Sequence, residues 1–186
     1  MNTIRPVAAL AALALVAGCA TSPVTPPAIA VPADVPAALQ PAAGQEPFLE
    51  VHASGVQVYE CAAPADAPAA WAWQFKGPEA TLTDAKGAVV GRHFAGPSWA
   101  SNDGATIVGK AAATVPSPER GSIPWLLLTV KSHEGAGLLA ATSSVQRLDT
   151  EGGVAPAAAC GAANAHQVER VGYTATYVFW RAKPGA

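Results

Sequence analysis

The chain has 186 residues, of which 13% are charged and 6% are aromatic, and its formal net charge is −2. This length allows one domain with a substantial core after an export segment is removed. The composition lacks the excess of basic residues found in nucleic-acid-binding domains, so a nucleic-acid partner is not expected.

The first 18 residues have the features of a secretory signal peptide. The amino terminus and Arg5 supply positive charge, an apolar run covers residues 7–17, and small residues follow. The run is shorter than the roughly 20 apolar residues of a membrane-spanning helix. We therefore predict a signal peptide over residues 1–18 and not a transmembrane anchor.

Cys19 follows the apolar run in the quartet Val16-Ala17-Gly18-Cys19. This quartet resembles the lipobox of bacterial lipoproteins, whose cysteine is acylated and becomes the first residue after cleavage. The resemblance implies lipid attachment at Cys19, and Ala20 at the second position implies sorting to the outer membrane. Several acyl chains on one residue are enough for stable anchoring. Ordinary cleavage, which would release a soluble periplasmic protein, is the alternative.

Residues 19–47 are rich in proline and alanine and contain no aromatic residue. Such a segment is typical of an extended tether. We predict that it carries a single domain, residues 48–183, at a distance from the lipid surface.

Two cysteines remain once Cys19 is assigned to the lipid. In an oxidising compartment Cys61 and Cys160 are expected to pair, with two buried free thiols as the alternative. A disulfide that closes a loop of about 100 residues stabilises a fold by roughly 3 to 5 kcal/mol. The spacing matches no zinc motif and there is no CxxC, so the cysteines predict neither a metal nor a cofactor.

Alternation of apolar and polar residues indicates strands over residues 55–61, 71–76 and 171–180. Five further segments are apolar or β-branched enough for strands: residues 79–83, 88–94, 106–114, 124–131 and 138–147. Residues 84–87 and 102–104 have turn sequences. A helical turn is expected only within residues 155–165. The pattern predicts an all-β fold, an antiparallel β-sandwich, with a closed antiparallel barrel as the alternative.

Several blocks occur in a distinctive order: GVQVYEC, WAWQFKGPEATLTDAKGAVVGRHFAGPSW, DGATIVGK, IPWLLL, VQRLDTEGGVAPAAAC and YTATYVF. Together they resemble the DUF3455 family, exported bacterial and fungal proteins of undefined function, over residues 31–179. The resemblance implies a single domain and no known activity or catalytic residue. Some members are labelled malate dehydrogenases, but this chain has no GxGxxG motif and no βαβ alternation, so we reject that activity.

The densest polar block covers residues 91–99 and is followed by Asp103. His93 and Trp99 lie there among glycines that allow a ligand to approach the backbone, which suits a pocket for a sugar, a small acid or a metal. In the alternative interpretation His93 ends a strand and hydrogen-bonds a loop carbonyl, while Trp99 fills the core. The polar run at residues 146–150 is expected to be a solvated strand end.

His133 and Glu134 begin a glycine-rich loop, and the second histidine of a zinc-protease motif is absent. Our first hypothesis is a non-enzymatic, lipid-anchored β domain that binds a small molecule, a glycan or an envelope partner. Its candidate ligand-binding residues are His93, Trp99, Asp103, His133 and Glu134. The alternatives are a metal-dependent enzyme using His93, His133 and Glu134, and a purely structural envelope protein.

Overall fold

A computed structural model describes residues 29, 31–32, 34–64, 66–67 and 69–185. The predicted signal peptide and Cys19 lie outside the described residues. In the described part of the chain, no helix has the length and apolar character needed to cross a membrane.

The described residues form eight strands and two short 3-10 helices, at Ala37–Leu39 and Ala162–Asn164. The second helix lies where a helical turn was expected. The strands are β1 (Gln45–Ala62), β2 (Ala72–Thr83), β3 (Val89–Phe94), β4 (Ser98–Ser101), β5 (Thr106–Val115), β6 (Trp125–Glu134), β7 (Ser144–Gly152) and β8 (Val168–Ala182).

Each strand pairs with the next in antiparallel fashion, and β8 pairs back onto β1, so the sheet is a closed barrel. The all-β antiparallel prediction is confirmed, but the preferred two-sheet sandwich is corrected to the barrel alternative. The physical reason is the length of β1. Its 18 residues pair with β8 from Gln45 to Glu60 and with β2 from His52 to Ala62, so no sheet edge is left open.

Three strand predictions need correction. Residues 71–76 and 79–83, predicted as separate strands, form the single strand β2, which pairs with β1 on both sides of a register shift. Residues 138–143 form a loop, and β7 begins only at Ser144. The reason is backbone conformation, because Gly135 and Gly137 have φ of 72° and 140°, which a continuing strand cannot adopt. The short strand β4 was not predicted, because its four residues lie within the block that was interpreted as a ligand loop.

Both predicted turns are present. Asp84 Oδ1 accepts hydrogen bonds from the backbone N–H groups of Lys86 and Ala88, each at 2.9 Å, and Gly87 has φ of 81°. Gly104 has φ of 107° in the turn between β4 and β5. These turns fix the register of the hairpins on either side of the predicted polar block.

The barrel interior has two chemically different halves. The apolar half lies towards the loops at residues 102–105 and 135–143, and its side chains are Val51, Leu82, Leu139, Val145 and Phe179. The polar half lies towards the disulfide, and its side chains are Gln57, Tyr59, His93, Trp99, Arg147, Tyr173 and Tyr177.

Part of the predicted tether packs on the barrel. Val35 and Leu39 are buried against outward-facing apolar side chains of β6, β7 and β8, and Gln146 Nε2 donates to the Leu39 carbonyl at 2.7 Å. In addition, β1 begins at Gln45. The outer face of these strands is apolar enough to require a cover, and the segment before β1 supplies it.

Cys61 and Cys160 form the predicted disulfide, with their Cα atoms 5.5 Å apart. The bond joins the end of β1 to the long connection between β7 and β8. Disulfides of this kind form in oxidising compartments, so the bond indicates a protein that folds outside the cytoplasm.

Candidate functional site

The polar half of the interior is assembled by strand register. His93 on β3 pairs with Trp99 on β4, and Arg147 on β7 pairs with Tyr177 on β8. Because side chains alternate along a strand, all four positions face the inside of the barrel. Residues far apart in sequence therefore surround one interior region.

His93 and Trp99 are adjacent, as expected, but both are buried. Their rings stack with centroids 4.5 Å apart, and the Tyr177 ring meets the imidazole edge-on at 5.1 Å. Gly109 leaves the space that the indole needs, because a Cβ there would lie 3.0 Å from Trp99 Cζ3. The pair therefore belongs to the barrel interior and not to a surface loop.

His93 is neutral and fixed in one tautomer. Its Nδ1 lies 2.8 Å from the Ser98 carbonyl oxygen and must donate to it, which leaves Nε2 without a proton. Burial lowers the pKa of His93 to about 3, against the opposing effect of the Ser98 hydrogen bond, and the positive charge of Arg147 lowers it further. This outcome matches the alternative interpretation, in which His93 bonds a loop carbonyl and Trp99 fills the core.

Tyr173 and Tyr177 are held in their protonated form. Burial raises the pKa of both hydroxyls, and the charge of Arg147 opposes this shift without overcoming it. Both groups therefore offer an O–H donor throughout the pH range in which proteins are normally stable.

Four buried polar atoms in this region, Gln57 Nε2, Trp99 Nε1, Tyr173 Oη and Tyr177 Oη, make no hydrogen bond of good geometry within the described residues. The two tyrosine hydroxyls nevertheless lie close enough to affect each other's pKa as side-chain hydrogen-bond partners, and Arg147 affects the pKa of Tyr177 in the same way. Each such group costs about 1–3 kcal/mol, and the large majority of buried polar groups in native proteins are paired. A concentration of unpaired groups in one interior region is therefore typical of a functional site. A fifth such atom, Trp125 Nε1, lies elsewhere, since that side chain belongs to the outer cluster under Leu39.

Arg147 borders the same region. Its Nε and Nη2 donate to the Pro124 carbonyl oxygen at 3.1 and 2.8 Å. None of the ion pairs among the described residues includes it. Residues 146–150 were expected to form a solvated strand end, and that expectation is wrong for Gln146, which is buried beneath Leu39. Arg147 is half-buried, because the strand register turns its side chain inwards.

The polar half is covered by two chain segments that meet at its end. Ser122 and Gly153 form a β-bridge, and the Tyr59 hydroxyl donates to the Gly153 carbonyl at 2.7 Å. A Cβ at Gly153 would lie 2.8 Å from Tyr173 Cβ and 3.0 Å from Gln57 Cγ. Only glycine allows this cover to lie directly on the interior side chains.

Asp103 lies at the opposite end of the barrel. Its carboxylate accepts hydrogen bonds from Ser101 Oγ at 2.5 Å and from the Leu138 N–H at 2.8 Å. The Ser101 bond and then the Leu138 bond hold its pKa below the ordinary value. Asp103 therefore ties the loop at residues 135–143 to the β4–β5 turn.

The structure does not bring His93, His133 and Glu134 together. His133 Nε2 contacts the Thr142 carbonyl at 2.6 Å, and both His133 and Glu134 are exposed. His93 and His133 are three strands apart, or about 14 Å at about 4.8 Å per strand. Across the described ranges, no three His, Cys, Asp or Glu side chains are grouped so that they could hold a metal ion.

Sequence reasoning missed Gln57, Arg147, Tyr173 and Tyr177 as site residues. The two-residue alternation within 55–61 and 171–180 places Gln57 and Tyr59 on one face of β1 and Tyr173 and Tyr177 on one face of β8. Nothing in that pattern indicates that the two faces point into the same barrel. That information lies in the pairing of β1 with β8.

No curated protein and no solved structure is significantly similar to the chain. A family model described as "Protein of unknown function (DUF3455)" matches residues 41–181 and so spans nearly the whole barrel. The resemblance found in the sequence blocks is thereby confirmed, and the chain belongs to the DUF3455 family.

Proposed function

We propose that this protein is an exported, lipid-anchored binding protein that holds a small molecule in the polar half of its barrel. The observation that supports this function is the group of four buried polar atoms that make no hydrogen bond of good geometry, of which Gln57 Nε2 and Trp99 Nε1 have no partner at all within the described residues. A ligand with hydrogen-bonding atoms would satisfy them and recover their desolvation cost. The interior of an eight-stranded barrel is either filled by its side chains or holds one small ligand.

The protonation states favour binding over proton transfer. A general acid or base works best when its pKa lies near the operating pH. Burial instead moves the pKa of His93 down to about 3 and moves the pKa values of Tyr173 and Tyr177 up. Groups with fixed protonation states are suited to holding and orienting a ligand.

A small molecule is favoured over a glycan or an envelope partner bound at the loops. A binding surface at the loops would need His93 and Trp99 to be exposed, but their side chains are only 3% and 0% exposed. Glu134 is exposed but lies at the other end of the barrel, so it does not extend the same site.

Binding is tested by thermal melts of the full chain against a panel of small metabolites. Trp99→Phe removes an unpartnered indole N–H inside the barrel, whereas Trp125→Phe removes one on the outer face. These two variants form a matched pair. A ligand at 100 times its Kd stabilises the folded state by about 2.7 kcal/mol.

We expect at least one compound to raise the Tm of the wild type and of Trp125→Phe, with a clearly smaller rise for Trp99→Phe. Equal rises in the two variants would locate binding outside the barrel and refute the proposal. Absence of any stabilising compound would favour a purely structural envelope protein.

The anchor is tested separately. The lipobox-like quartet before Cys19 supports acylation and attachment to the outer membrane, facing the periplasm or the cell surface. Cys19→Ala should abolish acylation and move the protein from the detergent phase to the aqueous phase. Continued detergent partitioning of the variant would contradict lipid attachment at Cys19.

A further inference from the structure

Arg147 is the charged group that borders the polar half of the interior, and it has no ionic partner there. Its guanidinium can donate five N–H groups, and the described contacts use two of them, both to the Pro124 carbonyl. Arg147 is also a side-chain hydrogen-bond partner of Tyr177, and the N–H groups beyond these contacts remain to donate to another acceptor.

No carboxylate of the described residues forms an ion pair with Arg147. No Asp or Glu is buried in the part of the chain that the structure describes. Glu169 on β8 pairs with Tyr59 on β1, so its carboxylate faces inwards at the disulfide end of the barrel. This carboxylate accepts a hydrogen bond from Gln167 Nε2 at 2.7 Å. Arg147 thus places a positive charge without an ionic partner at the edge of a buried region, where an anion could pair with it.

The unpartnered groups near Arg147 add donors. Trp99 Nε1 is a donor only, Gln57 Nε2 is a donor, and both tyrosine hydroxyls keep their protons. Burial is the largest influence on the pKa of each nearby titratable group, and the charge of Arg147 lowers the pKa of all of them: Tyr59, His93, Tyr173 and Tyr177. The charge and the donors therefore act on one shared region.

We infer that the ligand of this barrel is a small oxyanion, a carboxylate or a phosphate, held by the Arg147 guanidinium and by the N–H and O–H groups of Gln57, Trp99, Tyr173 and Tyr177. Arginine presents paired donors that match the oxygens of either group. This inference rests on the proposed function, since it names the chemical class of the bound molecule.

The test uses the full chain in detergent, labelled with ¹⁵N, and follows the indole N–H resonances during titration with acetate, with inorganic phosphate and with acetamide. The Trp99 resonance is identified by its loss in Trp99→Phe. Acetate or phosphate should shift the Trp99 resonance and leave that of Trp125 in place. Acetamide, the neutral counterpart of acetate, should bind at least about tenfold more weakly.

Arg147→Gln should weaken binding of the anion about ten- to a hundredfold, because a charge-assisted contact is lost while an amide remains to donate to the Pro124 carbonyl. Arg92→Gln is the matched control and should leave binding unchanged, since the Arg92 guanidinium lies on the outer face, 5.3 Å from the Phe94 ring centroid. If Arg147→Gln does not fold, the comparison of acetate with acetamide in the wild type decides the question.

Two outcomes would overturn the inference. Equal binding of acetate and acetamide at Trp99 would show an interior ligand site without charge selection, which leaves the proposed function standing. Failure of both anions to shift the Trp99 resonance would also overturn it. In that case a neutral compound that stabilises the protein through Trp99 would still support the proposed function, and the absence of any such compound would refute both.

Discussion

The two halves of the barrel interior follow different rules although the same eight strands build them. In the apolar half, Val51, Val145 and Phe179 are fully buried carbon side chains that need no partner. In the polar half, Gln57 and Tyr177 are just as deeply buried, yet each retains a polar atom without a partner. The first half resembles an ordinary core, and the second carries a desolvation cost that an ordinary core avoids.

This difference separates stability from function within one core. The apolar half is expected to account for most of the stability of the fold because its side chains bury area without desolvating polar atoms. The polar half keeps groups that reduce stability in the absence of a ligand. Destabilising groups of this kind are typical of functional sites, where stability is often lower than it could be. Substitutions in each half, and in the disulfide that closes the polar end, test this division.

The disulfide at the polar end should have the largest effect. Replacing both cysteines in Cys61→Ser/Cys160→Ser should lower the free energy of unfolding by about 4.7 kcal/mol in the chain-entropy model, because the bond closes a loop of about 100 residues. Urea denaturation measures the loss. A change below about 1 kcal/mol would show that packing alone holds the polar end together.

Phe179→Ala tests the apolar half. The side chain is fully buried, with its ring centroid 6.2 Å from that of Trp99. Its removal should lower the free energy of unfolding by about 3–5 kcal/mol, the usual cost of deleting a large core side chain. The same urea measurement applies, with the exposed Phe75→Ala as control. A loss no greater than that of the control would contradict the assignment of this half as the stabilising core.

His93 should make stability depend on pH. Its pKa of about 3 in the folded protein lies below the ordinary value of 6.5, so the unfolded chain takes up the proton first as the pH falls. The neutral His93 contributes fully to the free energy of unfolding above pH 6.5. Between pH 6.5 and about pH 3 this contribution falls by up to about 1.4 kcal/mol for each pH unit. The free energy of unfolding is measured against pH for the wild type and for His93→Gln, and the difference between the two separates the effect of His93 from that of the carboxylates. Parallel curves of unfolding free energy against pH for the two proteins would disprove the prediction.

Tyr177→Phe should have the smallest effect on stability. The substitution removes a buried hydroxyl that makes no hydrogen bond of good geometry and leaves the ring unchanged. The free energy of unfolding without ligand should therefore fall by less than about 0.5 kcal/mol or rise slightly. Tyr59→Phe is the contrast, since its hydroxyl donates to Gly153 and its loss should cost about 1 kcal/mol. Equal losses for the two variants would show that the Tyr177 hydroxyl has a partner.

Local patterns predicted the elements well. Alternation in residues 55–61 and 171–180 placed parts of β1 and β8, and the Asp84–Gly87 sequence identified its turn, because each depends on neighbours within a few residues. The 138–147 segment was predicted less well, since its apolar residues support either a strand or a loop that inserts Leu139 into the barrel end. The candidate site was predicted only in part. His93 and Trp99 are adjacent as expected, but they lie inside the barrel and not on a surface loop.

By itself the sequence determined the all-β class, most strand positions, the pairing of Cys61 with Cys160 and the resemblance to a family. These features follow from two-residue periodicity, turn chemistry, cysteine count and the order of the blocks. Only the tertiary structure decided that β1 closes onto β8, that Leu39 covers an outer apolar face and that Arg147 points inwards. The direction of a side chain in a sheet depends on which face becomes the interior, and pairing between strands more than 100 residues apart fixes that face.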